Sequence, residues 1–337
     1  MTTSVAINGL GRIGRAALKI ILDTPGLELA AVNDIAPPDN LAYLLKYDTV
    51  YGRYDKTVAA DGDGLIIAGK RYPLFGDKDP IRLPWKRLHI DIVLECTGAF
   101  AKREDLEKHI LAGARNVILS TPATSEDVVT VVHGVNSPRD GYPQIISCAS
   151  CTTNCITPVV EIMGRRIGVR KAIMTTVHAY TASQAIVDAP DKHARRGRAG
   201  AANFVPTSTG AAIATTKALP QYKDLFNGVA VRGPIPVGSL ADIVFLTERR
   251  TTVDEVNAVF EEESASERYR GVLGVTEDPI VSSDVVRDAR ASIVDLGMTQ
   301  VVDGDLVKVM SWYDNEWGYS SQLVREALQM SRSLARA

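Results

Sequence analysis

The 337-residue sequence has few cysteines, almost no net charge and no long apolar run. Four cysteines are too few for a small secreted fold that depends on disulfides. The formal net charge of −2 argues against a general polyanion binder, although a local basic site is compatible with it. No apolar run reaches the roughly 18 residues of a membrane helix, and the first residues lack the basic and apolar segments of a signal peptide. We therefore expect a cytoplasmic protein with no membrane partner and no primary nucleic-acid role.

The sequence also lacks internal repeats, low-complexity tracts and a Gly/Ser-rich linker. Its composition, 45% apolar and 23% charged, is typical of a globular protein with a sizeable core, which excludes intrinsic disorder. At about 150 residues per domain, the length predicts two domains. A boundary near residue 149 is indicated only by a change in the pattern of apolar residues.

Residues 1–149 alternate short apolar runs with helical spacing, which predicts βαβ units on a parallel sheet. The first of these units has a predicted strand at 4–8, a helix from 12 to about 23 and a strand at 27–32. Further strands are expected at 91–96, 116–119, 128–132 and 144–147. The glycine-rich stretch 57–75 predicts hairpin turns beside the main sheet.

The pattern changes after residue 150, where long β-rich runs replace the regular alternation. Strands are expected at 171–179, 229–231, 239–248 and 306–311, and helices at 151–166, 253–263 and 318–334. The fold class is therefore α/β, with a parallel-sheet domain followed by a second domain that is rich in strands.

A glycine-rich motif, Gly9-x-Gly11-x-x-Gly14, falls between the first predicted strand and the first predicted helix. Such glycines allow a tight turn, close approach of a pyrophosphate, and close packing of the helix on the strand. Asp34 lies 20 residues after Gly14 and follows the second predicted strand, where a carboxylate can meet a ribose 2′-hydroxyl. An acidic residue at this place favours NAD over NADP. The alternative is that the glycines only form a turn and Asp34 caps the next segment.

Three cysteines, Cys148, Cys151 and Cys155, lie within eight positions. One interpretation is a zinc site, but the remaining cysteine and the five histidines show no matching ligand spacing. A second is a redox couple of Cys151 and Cys155, which a shared helix face does not by itself bring into bonding geometry. The third is a nucleophile, because Cys151 stands at the predicted start of a helix, whose dipole acidifies a thiol. Cys148 and Cys155 are then buried core residues.

A nucleophilic cysteine needs a base, and the candidate is His178, near the end of a β-rich run. A lone histidine in such a place can equally be structural. Paired with Cys151, it would take the thiol proton and later relay another.

Five segments of the chain, in order, resemble the phosphorylating glyceraldehyde-3-phosphate dehydrogenase family. They are Ile7–Arg15, Ala149–Cys155, Thr176–Thr181, Pro206–Ala212 and Trp312–Tyr319. The resemblance implies a Rossmann-type doubly wound domain at 1–149, completed by 315–337. It also implies an α+β catalytic domain at 150–314 with a mostly antiparallel sheet. A homotetramer is implied as well, with an S-shaped loop at 180–203 near subunit contacts and the cofactor.

The reaction that this resemblance implies converts glyceraldehyde 3-phosphate, inorganic phosphate and NAD to 1,3-bisphosphoglycerate and NADH. Cys151 would attack the aldehyde to form a thiohemiacetal, and His178 would take the hydroxyl proton as a thioester forms. Inorganic phosphate would then release the acyl group. The Cys151 N–H, with protonated His178, would stabilise the oxyanion.

The resemblance implies two sets of binding residues and no metal. The substrate and phosphate set is Ser150, Thr152, Thr181, Arg195, Thr209, Gly210 and Arg232. Within it, Arg232 and Thr181, joined by Arg195, match the site for the substrate's own phosphate. The cofactor set is Gly9, Gly11, Arg12, Ile13, Gly14, Asp34, Ser120, Asn315 and Tyr319. Guanidinium groups and hydroxyls suit phosphate well.

Three features depart from the family pattern. Lys78 stands where many members have arginine near the adenine, Cys148 replaces the usual asparagine, and the run 233–238 differs from the familiar one. Two related functions stay open: oxidation of another phosphorylated aldehyde, such as erythrose 4-phosphate, and use of NADP. A redox-sensing or nucleic-acid-binding protein of the same fold is disfavoured by the intact Cys151 and His178.

Overall fold

A computed structural model describes residues 2–138 and 141–334 and divides into two compact units. The first unit comprises residues 1–131, 137–149 and 323–337, as far as they are described. The second comprises residues 132–136 and 150–322. The chain thus re-enters the first unit at Leu323, whereas the sequence analysis placed this return at residue 315.

The first unit is built on a nine-stranded sheet with helices on both faces. Its elements are β1 (Thr3–Asn8), α1 (Arg12–Leu22), β2 (Leu27–Asn33), α2 (Pro38–Lys46), β3 (Tyr47–Asp48), β4 (Gly52–Arg53), β5 (Val58–Asp61), β6 (Gly64–Ile67), β7 (Lys70–Phe75), β8 (Ile92–Glu95), α3 (Arg103–Leu111), β9 (Asn116–Leu119), β10 (Val129–Thr130) and β11 (Ile145–Ser147). The strand order is β10-β11-β9-β8-β1-β2-β7-β6-β5. From β10 to β7 all neighbours are parallel, which confirms the predicted parallel sheet.

The hairpins of the stretch 57–75 are present, but they extend the main sheet instead of lying beside it. Strand β6 is antiparallel to both β5 and β7, and β7 pairs in parallel with β2. Only two residue pairs make that junction, so the local turn signals could not reveal it.

The central strand β1 is buried on both faces, as a parallel sheet between two helical layers requires. Val5 and Ile7 pack into one core with Leu18 of α1, and C-terminal residues such as Leu323 belong to the same core. Ala6, between them, belongs to the core on the other face.

The second unit has a seven-stranded sheet, mostly antiparallel as predicted. Its elements are α4 (Cys151–Arg166), β12 (Val169–Ala179), β13 (Val205–Ser208), α5 (Ala211–Ala218), β14 (Phe226–Gly233), β15 (Ser239–Thr247), α6 (Val253–Ala265), β16 (Leu273–Thr276), β17 (Ser292–Val302), β18 (Leu306–Tyr313) and α7 (Trp317–Leu334). The strand order is β13-β14-β12-β15-β18-β17-β16. Helix α4 packs its buried face on this sheet, and α7 continues past Gln322 into the first unit.

Strand β17, a long strand of this sheet, is not among the strands predicted from the sequence. Its pairing with β18 shifts register between Asp295 and Gln300, and burial does not alternate there: residues 292–296 are all buried, Gly297 and Met298 are exposed, and Thr299 is buried. The period-2 signal of a strand is lost at such an irregularity. Among the described helices, none is both long enough and apolar enough to cross a bilayer.

Candidate active site

The glycine motif forms the turn from β1 into α1, and packing requires two of its three glycines. Gly9 has φ of +93°, and a Cβ there would lie 2.7 Å from the Thr97 backbone nitrogen. A Cβ on Gly14 would lie 1.9 Å from the Gly9 carbonyl oxygen. A Cβ on Gly11 would meet no other atom within 4 Å, so the backbone is open to a ligand there.

A cavity of about 430 Å³ opens at the carboxyl ends of β1, β2 and β8. Its lining includes Asn8, Gly9, Gly11, Asp34, Lys78 and Thr97. The Asp34 carboxylate accepts hydrogen bonds from the backbone N–H of Leu10 at 2.7 Å and of Ala36 at 2.9 Å. This open backbone turn, with a carboxylate held at its edge, fits the adenosine part of a dinucleotide at the place such ligands occupy in doubly wound sheets.

The other predicted cofactor residues of the first unit have partners within the protein. Arg12 starts α1, pairs with the Asp48 carboxylate and lies over the Tyr51 ring. Ile13 is half-buried and packs against the core that contains Val5 and Ile7 of β1. Ser120 is buried, and its side chain hydrogen-bonds the Cys96 thiol.

In the second unit, Cys151 and His178 lie in contact. Cys151 begins α4, and Ser150 caps that helix by accepting the Thr153 N–H at 3.1 Å. His178 lies near the end of β12 and is buried. Its Nε2 is 3.4 Å from Cys151 Sγ, and its ring packs edge-on against Tyr313.

The electrostatics of this pair correct one expectation. Burial raises the pKa of the Cys151 thiol, and the positive charge of Arg232 and hydrogen bonds from Thr152 oppose this only in part. The predicted acidification by the helix start therefore does not prevail. Burial, reinforced by the charge of Arg232, lowers the pKa of His178 to about 3. The pair therefore consists of a thiol and a neutral imidazole, and the same burial and positive charge oppose protonation of the ring.

His178 Nδ1 has two neighbours with opposite requirements. The Ala179 carbonyl oxygen lies 2.7 Å away and needs a protonated Nδ1, whereas Arg232 Nη1 lies 2.8 Å away and can only donate. Arg232 Nη1 also donates to the same carbonyl at 3.0 Å. When Nδ1 donates to Ala179, Nε2 is left as the acceptor that faces the thiol. The position of Arg232 therefore biases which ring nitrogen carries the proton.

Some of the predicted phosphate residues lie near this pair, and others already hydrogen-bond to groups of the protein itself. Arg232 is in register with His178 on the neighbouring strand β14. Thr152 is buried, and its hydroxyl lies 2.9 Å from that of Tyr313. The Thr181 hydroxyl lies 2.9 Å from that of Ser183. Thr209 accepts the N–H of Ala211, and Gly210 precedes α5.

Arg195 is the predicted residue that the structure does not bring to the phosphate set. It is exposed, whereas its neighbour Arg196 is half-buried. Arg196 Nε donates to the Thr207 hydroxyl at 3.0 Å and Nη2 to the Ser208 carbonyl at 3.2 Å, and its charge reaches Arg232. The short helical turn Ala194–Gly197 sends adjacent arginines in different directions. Spacing in the sequence could not tell which one faces inward.

Asn315 and Tyr319, the remaining predicted cofactor residues, are buried in the second unit. Asn315 Oδ1 accepts hydrogen bonds from the Gly238 N–H at 3.2 Å and from the Ser239 hydroxyl at 3.0 Å. These two hydrogen bonds fix the orientation of the Asn315 amide. Its oxygen is already used as an acceptor, so the NH₂ group is the part that can donate to a ligand.

The other cysteines lie in the cores, as predicted for Cys148 and Cys155. Burial raises the pKa of Cys148, and it raises those of Cys96 and Cys155 to about 12. Cys155 Sγ lies 3.8 Å from both the Ser292 hydroxyl and the Ser311 carbonyl. Within residues 2–138 and 141–334, no group of three His, Cys, Asp or Glu side chains is placed to hold a metal.

Comparison with known proteins gives matches over nearly the whole chain. Residues 3–103 match the family model described as glyceraldehyde 3-phosphate dehydrogenase, NAD binding domain, and residues 150–315 match the C-terminal domain of the same name. The glyceraldehyde-3-phosphate dehydrogenase 2 of Streptomyces avermitilis is 46% identical over 96% of this chain and 97% of its own length. Glyceraldehyde-3-phosphate dehydrogenase 1 of Bacillus subtilis is 44% identical over 98% and 99%. The Zymomonas mobilis protein named glyceraldehyde-3-phosphate dehydrogenase is 42% identical over 99% and 100%.

Proposed function

Because this chain belongs to the glyceraldehyde-3-phosphate dehydrogenase family, we propose that Cys151 is its nucleophile and His178 its base. The chain is an NAD-dependent oxidoreductase, and its substrate is glyceraldehyde 3-phosphate. The observation that carries the assignment of the pair is the 3.4 Å contact between Cys151 Sγ and His178 Nε2. A neutral imidazole at that distance is the arrangement that a thiol nucleophile requires.

In the first half of the reaction, His178 Nε2 takes the thiol proton while Cys151 Sγ bonds to the aldehyde carbon. The imidazolium returns this proton to the carbonyl oxygen, which gives a neutral thiohemiacetal. Nε2 then removes the hydroxyl proton as the carbon is oxidised to a thioester. NAD, when bound, accepts the hydride that leaves this carbon.

In the second half, inorganic phosphate attacks the thioester carbon and the carbon–sulfur bond breaks. The imidazolium proton returns to Cys151 Sγ, and the attacking phosphate releases its own proton to solvent. The Cys151 backbone N–H at the start of α4 is a donor for the oxyanion in both halves. Ser150, Thr152, Thr209 and Gly210 are the groups we assign to the attacking phosphate. Thr152 also donates to the thiol, so it serves the nucleophile as well.

We assign the substrate's own phosphate to Arg232, Thr181 and Arg196, with Arg196 in place of Arg195. The charge of Arg196 already acts on Arg232, and two guanidinium groups with a hydroxyl suit a dianion. An anion at Arg232 would draw its Nη1 away from His178 Nδ1. Nδ1 would then donate to Ala179 alone, which favours the tautomer that accepts the thiol proton.

The cofactor residues in this proposal are the predicted ones. In the first unit, Gly9, Gly11 and Asp34 border the cavity at the end of β1. Asp34 would accept the ribose 2′-hydroxyl and repel a 2′-phosphate, which favours NAD over NADP. We assign 1–149 with 315–337 to cofactor binding and 150–314 to catalysis.

We also propose that the protein is a homotetramer. One face of the second unit's sheet carries exposed apolar side chains, among them Ile173 at 62% and Val229 at 51% exposure. In the stretch 180–203, Ile186 and Val187 are exposed by 88% and 71%. Exposed apolar side chains of this kind support contact with further copies of the chain. Light scattering of the purified protein tests this: a mass near 36.4 kDa would contradict it.

The reaction is tested by following nicotinamide reduction with glyceraldehyde 3-phosphate, with and without inorganic phosphate, using NAD and NADP in parallel. Turnover that requires phosphate, prefers NAD and is lost in Cys151→Ser supports the proposal. Turnover without phosphate would move the function to hydrolytic aldehyde oxidation. Faster turnover of erythrose 4-phosphate would reassign the substrate.

A further inference from the structure

Glu95, the last residue of β8, is a buried acidic side chain that the proposed mechanism does not use. Both Glu95 and its neighbour His109 are 0% exposed. Burial of a carboxyl group is costly unless hydrogen bonds compensate for the lost water. A carboxyl group in this position therefore calls for an account of its partners.

Four donors point at the two oxygens of Glu95. Oε1 accepts the Thr97 backbone N–H at 2.8 Å and also the Thr97 hydroxyl. Oε2 accepts Asn8 Nδ2 at 2.5 Å and lies 3.1 Å from His109 Nε2. Trp85 Nε1, which can only donate, lies 3.0 Å from His109 Nδ1, so the His109 proton is on Nε2 and faces Glu95.

Through Asn8, this hydrogen-bond network extends to Asn33 and Asp77, which also line the nucleotide cavity. Asn8 Oδ1 accepts Asn33 Nδ2 at 2.6 Å. Asn33 in turn donates to the Asp77 carbonyl at 2.9 Å and accepts the Asp77 N–H at 3.0 Å. Asn8, Asn33, Asp77 and Thr97 all line the cavity. One carboxyl group thus fixes wall residues from four separate segments of the chain.

We propose that Glu95 is a positioning residue for the cofactor, holding these wall residues in the geometry that binds the adenosine diphosphate part of NAD. The inference rests on the proposed use of this cavity for the cofactor. Glu95 itself does not line the cavity, so it acts through Asn8 and Thr97. Because the network belongs to the first unit, it sets affinity and leaves the chemistry at Cys151 unchanged.

The isosteric variant Glu95→Gln tests the proposal. An amide has one oxygen and one NH₂. Towards Asn8 and His109 the NH₂ meets two donors, and towards Thr97 it meets the backbone N–H while the Thr97 hydroxyl must turn from donor to acceptor. In either orientation at least one of the hydrogen bonds to the carboxylate is lost. We expect the Kd for both NAD and ADP-ribose, measured by calorimetry, to rise about ten-fold or more. The KM for NAD should rise in parallel, while kcat at saturating NAD and the alkylation rate of Cys151 stay at the wild-type values.

A double variant supplies the rescue. In Asn8→Asp with Glu95→Gln, the amide NH₂ of residue 95 faces the new carboxylate, which also accepts from Asn33 and has His109 Nε2 near it. The Thr97 donors keep an acceptor. We expect ADP-ribose affinity to return towards that of the wild type. Glu326→Gln is the matched control, since Glu326 is an equally buried glutamate of the same unit, bonded to Ser137 and Tyr142 and not part of the cavity lining.

The outcomes are separable. Wild-type ADP-ribose affinity in folded Glu95→Gln overturns the inference, and so does an equal loss in Glu326→Gln. If Glu95→Gln does not fold, the double variant decides: near-wild-type affinity supports the inference and lost affinity overturns it. Wild-type protein that binds neither NAD nor ADP-ribose would instead contradict the proposed use of the cavity.

Discussion

The nucleotide cavity of the first unit and the thiol pocket of the second are both bordered by buried polar groups, but they satisfy those groups differently. At the cavity, every donor around Glu95 has an acceptor, and the histidine tautomer has a single consistent assignment. At the pocket, His178 Nδ1 lies between Ala179 and Arg232, which demand opposite proton positions. A binding site gains from one fixed geometry, whereas a general base must exchange protons during each turnover.

The largest expected effect comes from removing the base, which breaks the second site and leaves the first intact. His178→Asn keeps a donor for the Ala179 carbonyl but has no nitrogen that can take the thiol proton. We expect kcat to fall by about 10²–10⁴-fold. The Kd for NAD, measured by calorimetry, should not change. A comparable loss of NAD affinity would contradict the separation of the two sites.

Next in size is the effect of the two adjacent arginines, which sharpens the description of the pocket. Arg196→Ala removes a guanidinium that reaches Thr207 and acts on Arg232, whereas Arg195→Ala removes an exposed one. We expect the KM for glyceraldehyde 3-phosphate to rise about 10–100-fold in Arg196→Ala, as for a lost charge-assisted hydrogen bond. It should change little in Arg195→Ala. Steady-state kinetics of both variants decide this, and the reverse order would restore Arg195 to the site.

A smaller effect tests the rigidity of the nucleotide turn. In Gly14→Ala the new Cβ would lie 1.9 Å from the Gly9 carbonyl oxygen, so the turn must shift. We expect a loss of about 1–3 kcal/mol in the free energy of unfolding, measured with denaturant. Gly11→Ala is the control, because nothing lies within 4 Å of that Cβ position. Equal stability of the two variants would show that the turn yields easily.

The smallest expected effect is a pH dependence that belongs to the pocket alone. Burial and Arg232 lower the pKa of His178 to about 3, so the unfolded chain, with a pKa near 6.5, takes up the proton first as the pH falls. The contribution of the neutral ring to stability is therefore complete above about pH 6.5 and is lost progressively towards pH 3. His178→Asn should lose less stability than the wild type between pH 7 and pH 5, as measured by thermal melting. An identical loss in both proteins would contradict the buried neutral state of the ring.

The local structure around the candidate site was predicted correctly from the sequence. Gly9 and Gly14 report a turn through their own spacing, and Cys151 stands at a helix start that Ser150 caps. The choice between Arg195 and Arg196 depends on one short turn, and spacing does not register which side chain points inward. Glu95 and His109 meet only because a strand and a helix pack together, so no motif marks them. The pKa of Cys151 likewise depends on burial by distant segments of the chain.

Helix α7 has a consequence for how the protein is made. The core around β1 includes Leu323, Val324, Ala327 and Met330, all at most 2% exposed. A ribosome produces these side chains after nearly all of the remaining chain has emerged. One apolar face of the amino-terminal sheet therefore stays uncovered until α7 has been synthesised. A chain that lacks α7 therefore cannot close the core of the nucleotide-binding half.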